Sequence, residues 1–156
     1  MKKVIYASIV LNPTGDGDWT RAVKKSVGGL GISHGWSVCT ASLGSPFERE
    51  WLYDQTWYFS PSGQLQEIGL LMECEWSSNL TEIQYDFEKL LVGRAPIKVM
   101  IFACRDNKAF DRLMSGFKRF SRCDPSEHYL LACWRDGPPR YEIREWSKQT
   151  PEPKAE

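Results

Sequence analysis

The chain has 156 residues, which is enough for one domain with a hydrophobic core. Hydrophobic residues make up 42% and charged residues 26% of the sequence, a composition that excludes an intrinsically disordered protein. Basic and acidic residues number 20 each, so the net charge gives no general indication of a nucleic-acid partner. No stretch approaches the roughly 20 apolar residues that a membrane span needs, so no membrane partner is expected.

Apolar periodicity predicts seven strands and three helices. The strands are predicted from β-rich, alternating or continuous apolar runs, at residues 4–11, 36–42, 51–59, 65–76, 97–104, 129–134 and 141–146. The helices are predicted at residues 19–27, 80–94 and 107–122. This order predicts the α/β class, with a mixed central sheet flanked by helices. We expect a single domain over residues 1–147 and a flexible polar tail over residues 148–156.

Local residue types predict where two of the helices begin or end. Asp18 or Thr20 can cap the first helix, and the glycine-rich segment 28–31 is expected to end it. Asn79, with Glu82 three residues later, has the pattern of a cap for the second helix.

The cysteine pattern argues against a metal or redox motif. The five cysteines are an odd number and form no C-x-x-C pair, unlike zinc ribbons and thioredoxin-like sites. Three of them lie in apolar strand-like runs, where a thiol behaves as a small hydrophobic group. We therefore expect reduced cysteines and a cytoplasmic location.

The strand predicted over residues 65–76 ends in two carboxylates that are one residue apart. Successive side chains of a strand point to opposite faces, so Glu73 and Glu75 are expected to share one face. Neighbouring carboxylates repel each other, and a divalent cation with a preference for hard oxygen ligands would offset that repulsion. The alternative is an edge strand on which both glutamates simply point into solvent.

A hairpin between the third and fourth predicted strands would bring Asp54 close to Glu73. The aspartate, the E-x-E strand, the capped helix and the following apolar strand resemble the PD-(D/E)xK nuclease superfamily over residues 51–104. The resemblance implies a restriction-endonuclease-like fold and metal-dependent hydrolysis of phosphodiester bonds. It also implies that Asp54, Glu73 and Glu75 bind Mg²⁺ or Mn²⁺ and act in catalysis.

The sequence departs from the family pattern at two positions. Tyr53 replaces the proline before the aspartate, and Glu75 stands where the family usually has a lysine that orients or activates water. Lys89, on the helix after the E-x-E strand, is the candidate replacement and the fourth predicted catalytic residue. Two alternatives stay open: Glu75 itself handles the water, or Lys89 is an ordinary solvated lysine.

The helix predicted over residues 107–122 is markedly basic. Its candidate phosphate-binding residues are Lys108, Arg112, Lys118 and Arg119. The alternative is a solvated helix face. A second basic group is formed by Arg21, Lys24 and Lys25.

Three hypotheses follow. The first is a metal-dependent nuclease domain that acts on nucleic acid, with DNA favoured over RNA; a homodimer would suit it, because cutting a duplex needs two sites. The second is a non-catalytic interaction or regulatory protein on the same fold, which the missing lysine keeps open. The third is an unrelated α/β binding module whose acidic residues serve solubility.

Overall fold

The computed structural model describes residues 15–105, 108–122, 124–135 and 141–148. In these ranges the helices are α1 (Asp16–Ser33), α2 (Leu80–Val92) and α3 (Lys108–Arg119). The strands are β1 (Ser37–Thr40), β2 (Gln55–Phe59), β3 (Glu67–Glu75), β4 (Ile97–Ala103), β5 (His128–Trp134) and β6 (Tyr141–Trp146). The predicted α/β class is confirmed. The predicted first strand, at residues 4–11, and residues 149–156 of the predicted tail lie outside the described residues.

The chain divides into two compact units, with the boundary between Cys74 and Glu75. In the first unit, β1, β2 and β3 form an antiparallel meander in which β2 lies between the other two strands. In the second unit, β4 pairs in parallel with β5, and β5 pairs in antiparallel orientation with β6. Parallel and antiparallel pairs therefore occur together, as the prediction of a mixed sheet requires.

One of the two predicted helix caps is confirmed. The Asn79 side chain accepts a hydrogen bond from the backbone N–H of Thr81 at 2.9 Å, which caps α2 as predicted. The prediction for α1 is wrong, because its N-cap is Gly15 and no side chain bonds to the cap. Asp18 and Thr20 lie inside the helix.

The glycines of α1 do not end the helix, which continues to Ser33. A Cβ atom added to Gly28 would lie 2.5 Å from the ring of Phe47. A Cβ atom added to Gly31 would lie 2.7 Å from the ring of Trp57, on β2. These two glycines thus let α1 approach the meander closely, and their spacing of three residues places them on one helix face.

Apolar side chains at helical spacing form the core of the second unit. Phe87 of α2 lies 6.0 Å from Tyr129 of β5, measured between ring centroids. Phe117 of α3 lies 5.0 Å from the same tyrosine and 5.9 Å from Trp146 of β6. All four residues are buried, so one aromatic cluster joins both helices to two strands.

A disulfide joins β5 to the residue that follows β4. Its partners are Cys104 and Cys133. The parallel register pairs Ala103 with Trp134, which brings the two cysteine side chains together at adjacent strands. The expectation of reduced cysteines is therefore wrong for this pair. Cys39 of β1 is a buried thiol.

None of the helices in the described ranges combines the length and the apolar character that crossing a bilayer requires.

Candidate functional site

Asp54 lies at the point where the chain enters β2, and its carboxylate reaches the neighbouring strand. Oδ2 of Asp54 accepts a hydrogen bond from the backbone N–H of Cys74 at 2.8 Å. The hairpin register pairs Gln55 with Met72. Asp54, the residue before Gln55, therefore lies close to the end of β3. Since Cys74 lies between the two glutamates of the E-x-E segment, this bond holds the Asp54 carboxylate beside that segment. Asp54 therefore contacts the E-x-E strand, as predicted, through the backbone N–H of Cys74.

The other oxygen of Asp54 contacts a lysine from α1. Nζ of Lys24 lies 2.8 Å from Oδ1 of Asp54 and donates a hydrogen bond to Oε2 of Glu50 at 3.0 Å. Only 6% of the Lys24 surface is exposed. Burial lowers the pKa of Lys24, but the hydrogen bonds and negative charges of Asp54 and Glu50 outweigh burial and raise that pKa above its ordinary value. A protonated ammonium group therefore offsets part of the negative charge of these two carboxylates.

Lys24 does not belong to a solvated basic patch, which corrects the grouping with Arg21 and Lys25. A sequence signal for its position was present, because Lys24, Gly28 and Gly31 recur at the i, i+4, i+7 spacing of one helix face. That face turns out to be the one that approaches the meander. This spacing could be interpreted only once the structure showed that Gly28 and Gly31 lie against Phe47 and Trp57.

Glu73 lies on β3 and is buried, with only 2% of its surface exposed. It follows a run of buried residues over 69–72, which explains why the strand carries a carboxylate into the interior. The alternative in which Glu73 points into solvent is therefore wrong. A buried carboxylate is expensive to desolvate and is usually paired or bound to a cation, which makes Glu73 the most unusual acid of the predicted set.

Glu75 ends β3 and belongs to the second unit. It is half-buried, and its Oε1 accepts a hydrogen bond from the backbone N–H of Ser77 at 2.6 Å. A cavity of about 280 Å³ in the second unit is lined by Glu75, Thr81, Glu82, Tyr85 and Asp86. The Glu75 side chain is thus held in place at the edge of an open cavity.

Lys89 contacts an acid of its own helix. Its Nζ lies 3.3 Å from Oδ1 of Asp86, three residues earlier on α2. Pairs of this kind on a helix surface contribute little to stability, and they also direct a flexible lysine along the helix. The catalytic role of Lys89 therefore stays a prediction.

Carboxylate oxygens are ligands that a hard cation prefers, but few of them come together in the described residues. In the described part of the chain, no group of three or more His, Cys, Asp or Glu side chains is arranged to hold a metal ion. Mg²⁺ often keeps several waters and uses only one or two protein carboxylates together with substrate phosphates. A magnesium site formed by Asp54 and Glu73 therefore stays a prediction.

A cavity of about 540 Å³ opens in the first unit, next to the ion pairs that Lys24 forms with Glu50 and Asp54. Its lining includes Arg49, Glu50 and Trp51 from the segment between β1 and β2. Glu50 therefore joins the cavity to the ion pair of Lys24 and Asp54. The volume of this cavity lies within the range of pockets that bind small molecules. Trp51 is 46% exposed and lies 4.8 Å from the ring of Tyr58.

The predicted basic helix is present as α3. Its four candidate phosphate-binding side chains, all exposed, are Lys108, Arg112, Lys118 and Arg119. The opposite face is buried through Ala109, Phe110, Leu113 and Phe117. Arg112 also donates a hydrogen bond from Nε to the side chain of Gln84 on α2. The i, i+4, i+11 spacing of Lys108, Arg112 and Arg119 gives α3 one positively charged outer face.

No family model, curated protein or solved structure matches this chain significantly.

Proposed function

We propose that the chain is a metal-dependent nuclease with a restriction-endonuclease-like fold, which hydrolyses phosphodiester bonds of nucleic acid. The observation that carries this proposal is the 2.8 Å hydrogen bond from the Cys74 backbone to Asp54, beside the E-x-E segment. The element order adds support. A helix, an antiparallel three-stranded meander, a second helix and a further strand follow one another along the chain, an order compatible with that fold.

In this proposal Asp54 and Glu73 hold the cation. When bound, a divalent cation makes a water more acidic and neutralises negative charge on the phosphodiester. Glu75 accepts the proton of the attacking water, since the backbone N–H of Ser77 holds its carboxylate at the end of β3. The water oxygen forms a new bond to phosphorus, the bond to the leaving oxygen breaks, and the leaving oxygen takes a proton from solvent. The products are a phosphomonoester and a hydroxyl.

The substrate partner in this proposal is nucleic acid, with DNA favoured over RNA. The exposed positive face of α3 supports it, because phosphate contacts by lysine and arginine supply most of the affinity that does not depend on sequence. The overall charge balance of 20 basic and 20 acidic residues means that this attraction has to be local.

A second candidate is a non-catalytic interaction or regulatory protein on the same architecture. The observation that favours it is the Lys24 ammonium, which lies within 3.0 Å of both Asp54 and Glu50 and offsets part of their negative charge. In this alternative the acids serve stability, and the protein binds partners without cutting them.

Calorimetric titration with Mn²⁺ tests the metal site. We expect the wild-type chain to bind Mn²⁺ and the Glu73→Gln variant to lose that binding. Glu67→Gln is the matched control, because Glu67 lies on the same strand at an exposed position. Equal binding by wild type and Glu73→Gln would contradict the proposal. Mn²⁺ binding without cleavage of any nucleic acid would favour the second candidate.

A further inference from the structure

We propose that the cavity of about 540 Å³ in the first unit binds a nucleotide, with its base on the indole of Trp51 and its phosphate on the guanidinium of Arg49. This site goes beyond the proposed nuclease function, because the segment between β1 and β2 forms most of its lining and nucleotide binding there needs neither a metal ion nor cleavage. The same chemistry belongs to a free nucleotide and to one nucleotide of a single strand.

Backbone hydrogen bonds hold the wall of the cavity that carries Arg49. The N–H of Glu48 donates to the carbonyl of Val38 at 2.8 Å, and the carbonyl of Glu48 accepts the N–H of Thr40 at 2.9 Å. Val38 and Thr40 belong to β1, so the residue directly before Arg49 is attached to the sheet. A ligand that binds here does not have to order this part of the segment, which reduces the entropic cost of binding.

Trp51 presents an aromatic surface at the cavity. The residue is 46% exposed, although a large apolar side chain is usually mostly buried. The ring of Tyr58 on β2 lies 4.8 Å from the indole, with 37° between the ring planes, and supports it. Bases of every type stack on aromatic side chains, because each has a planar π face. The supported and exposed indole therefore fits a planar base.

The two acids that line the cavity have partners, which leaves the arginine between them to bind an anion. Glu50 accepts a hydrogen bond from Lys24 at 3.0 Å, and the Tyr58 hydroxyl hydrogen-bonds to Glu48. Arg49 is exposed and forms no ion pair with another residue that the structure describes. A guanidinium binds phosphate oxygens through two parallel hydrogen bonds, so Arg49 suits the phosphate of a nucleotide.

The other polar groups of the lining suit the sugar and the edge of a base. They include the hydroxyls of Thr40 and Ser42 and the carboxylate of Glu48. These oxygens accept hydrogen bonds from sugar hydroxyls and from the amino group of a base. A purely apolar ligand would leave them without partners, which costs binding energy. The mixed lining therefore favours a nucleotide over an apolar aromatic molecule.

The experiment measures the binding of adenosine monophosphate by calorimetry, in excess chelator so that no metal ion takes part. Trp51→Ala and Arg49→Gln should each weaken binding about tenfold, because each removes one of the two main contacts. Trp51→Phe should recover part of the loss, since phenylalanine keeps an aromatic ring. The controls are Leu52→Ala and Arg21→Gln, which change exposed residues outside the lining and should bind as wild type.

Two further probes identify the contacts and the source of the nucleotide. Adenosine lacks the phosphate, so it should bind more weakly than adenosine monophosphate and should not respond to Arg49→Gln. A single-stranded DNA of about eight nucleotides is the second probe. Tighter binding of this strand than of adenosine monophosphate, with loss in Trp51→Ala, assigns the site to a strand. Weaker binding of the strand assigns it to a free nucleotide.

A wild-type chain that binds neither adenosine monophosphate nor the strand would overturn the inference. Unchanged binding of both probes in a folded Trp51→Ala or Arg49→Gln variant would overturn it as well. If Trp51→Ala does not fold, Arg49→Gln decides the question alone, because the Arg49 side chain is exposed. Since these titrations contain no metal ion, they can fail while Mn²⁺-dependent cleavage succeeds, and the reverse also holds.

Discussion

The ammonium of Lys24 on α1 lies 2.8 Å from Oδ1 of Asp54, the residue that precedes β2. The other oxygen of that carboxylate accepts the backbone N–H of Cys74 on β3 at 2.8 Å. One aspartate therefore connects a helix and a neighbouring strand. It has a structural role that can be measured without a metal ion.

Asp54→Asn should destabilise the metal-free protein. The substitution leaves the buried Lys24 ammonium with Glu50 as its remaining charge partner, and removing one member of a buried ion pair costs about 3–5 kcal/mol when nothing else compensates. Because Glu50 compensates in part, we expect a loss of about 1–3 kcal/mol in the free energy of unfolding, measured with urea. Glu67→Gln should change it by less than about 0.5 kcal/mol. Equal stability of Asp54→Asn and wild type would show that the ion pair contributes nothing to folding.

Glu127→Gln should destabilise the second unit. Oε2 of Glu127 lies 2.7 Å from Nζ of Lys98, whose side chain is fully buried, and the same ammonium donates to the Tyr129 hydroxyl at 2.9 Å. Removing the carboxylate leaves the buried ammonium with the neutral Tyr129 hydroxyl as its hydrogen-bond partner in this network, and we expect a loss of about 3–5 kcal/mol.

The control for this network is the double variant Lys98→Met/Glu127→Gln, which removes the charge as well as its partner. It should be more stable than Glu127→Gln alone in the same urea experiment. A double variant that is less stable than Glu127→Gln would mean that Lys98 contributes through packing and not through its charge.

Alkaline pH should weaken the fold through two groups of the first unit. Burial raises the pKa of the Cys39 thiol from 9.0 to about 11. Burial and a hydrogen bond with Glu48 raise the pKa of Tyr58 from 10.0 to about 12. Each group binds its proton more strongly in the folded chain, so its contribution is complete below the unfolded pKa and disappears as pH rises through the folded pKa. The free energy of unfolding should therefore fall from about pH 9 upward.

The Cys39→Ala variant distinguishes the contribution of the Cys39 thiol to this pH dependence from that of the Tyr58 phenol. Without the thiol, the decrease in the free energy of unfolding between about pH 9 and 11 should be smaller than in wild type, while the decrease that follows Tyr58 should remain. Urea unfolding at a series of pH values measures both slopes. Parallel curves for the two proteins over this range would mean that the Cys39 thiol titrates normally.

Nucleic-acid binding should depend on salt and on the outer face of α3. Arg112→Glu or Arg119→Glu should weaken binding about equally for all sequences, because phosphate contacts carry no base information. Each lost contact should also reduce the slope of log affinity against log salt by about one. The control is Arg94→Glu, which has the same charge change at an exposed position outside α3. Affinity that is independent of salt, or equal effects of all three reversals, would contradict a binding surface on α3.

The elements with the strongest local patterns could be predicted from the sequence. The β4 strand was predicted at 97–104 and is observed over Ile97–Ala103, because its run of buried apolar residues has a strand's length and Pro96 lies directly before it. The end of α1 was missed, since a glycine can either end a helix or let it approach a neighbour. Only the positions of Phe47 and Trp57 distinguish the two roles.

Part of the candidate site could be predicted as well. Alternation along β3 identified Glu73 as a candidate, and the hairpin brought Asp54 to the same strand end. The partner Lys24 was missed because the spacing of Lys24, Gly28 and Gly31 shows only that they share one helix face. Which distant residue that face contacts depends on packing that no local pattern encodes. The disulfide of Cys104 and Cys133 was missed for the same reason, since it depends on the pairing of two strands that a helix separates.

Cleavage of nucleic acid measures the proposed nuclease activity itself. Purified wild-type protein, Glu73→Gln and the control Glu67→Gln are incubated with a mixture of DNA and RNA, in Mn²⁺ or in excess chelator, and the products are separated by length. We expect metal-dependent cleavage by wild type and Glu67→Gln, and its loss in Glu73→Gln and in chelator. Intact nucleic acid with wild-type protein in Mn²⁺, or equal cleavage by Glu73→Gln, would contradict this expectation.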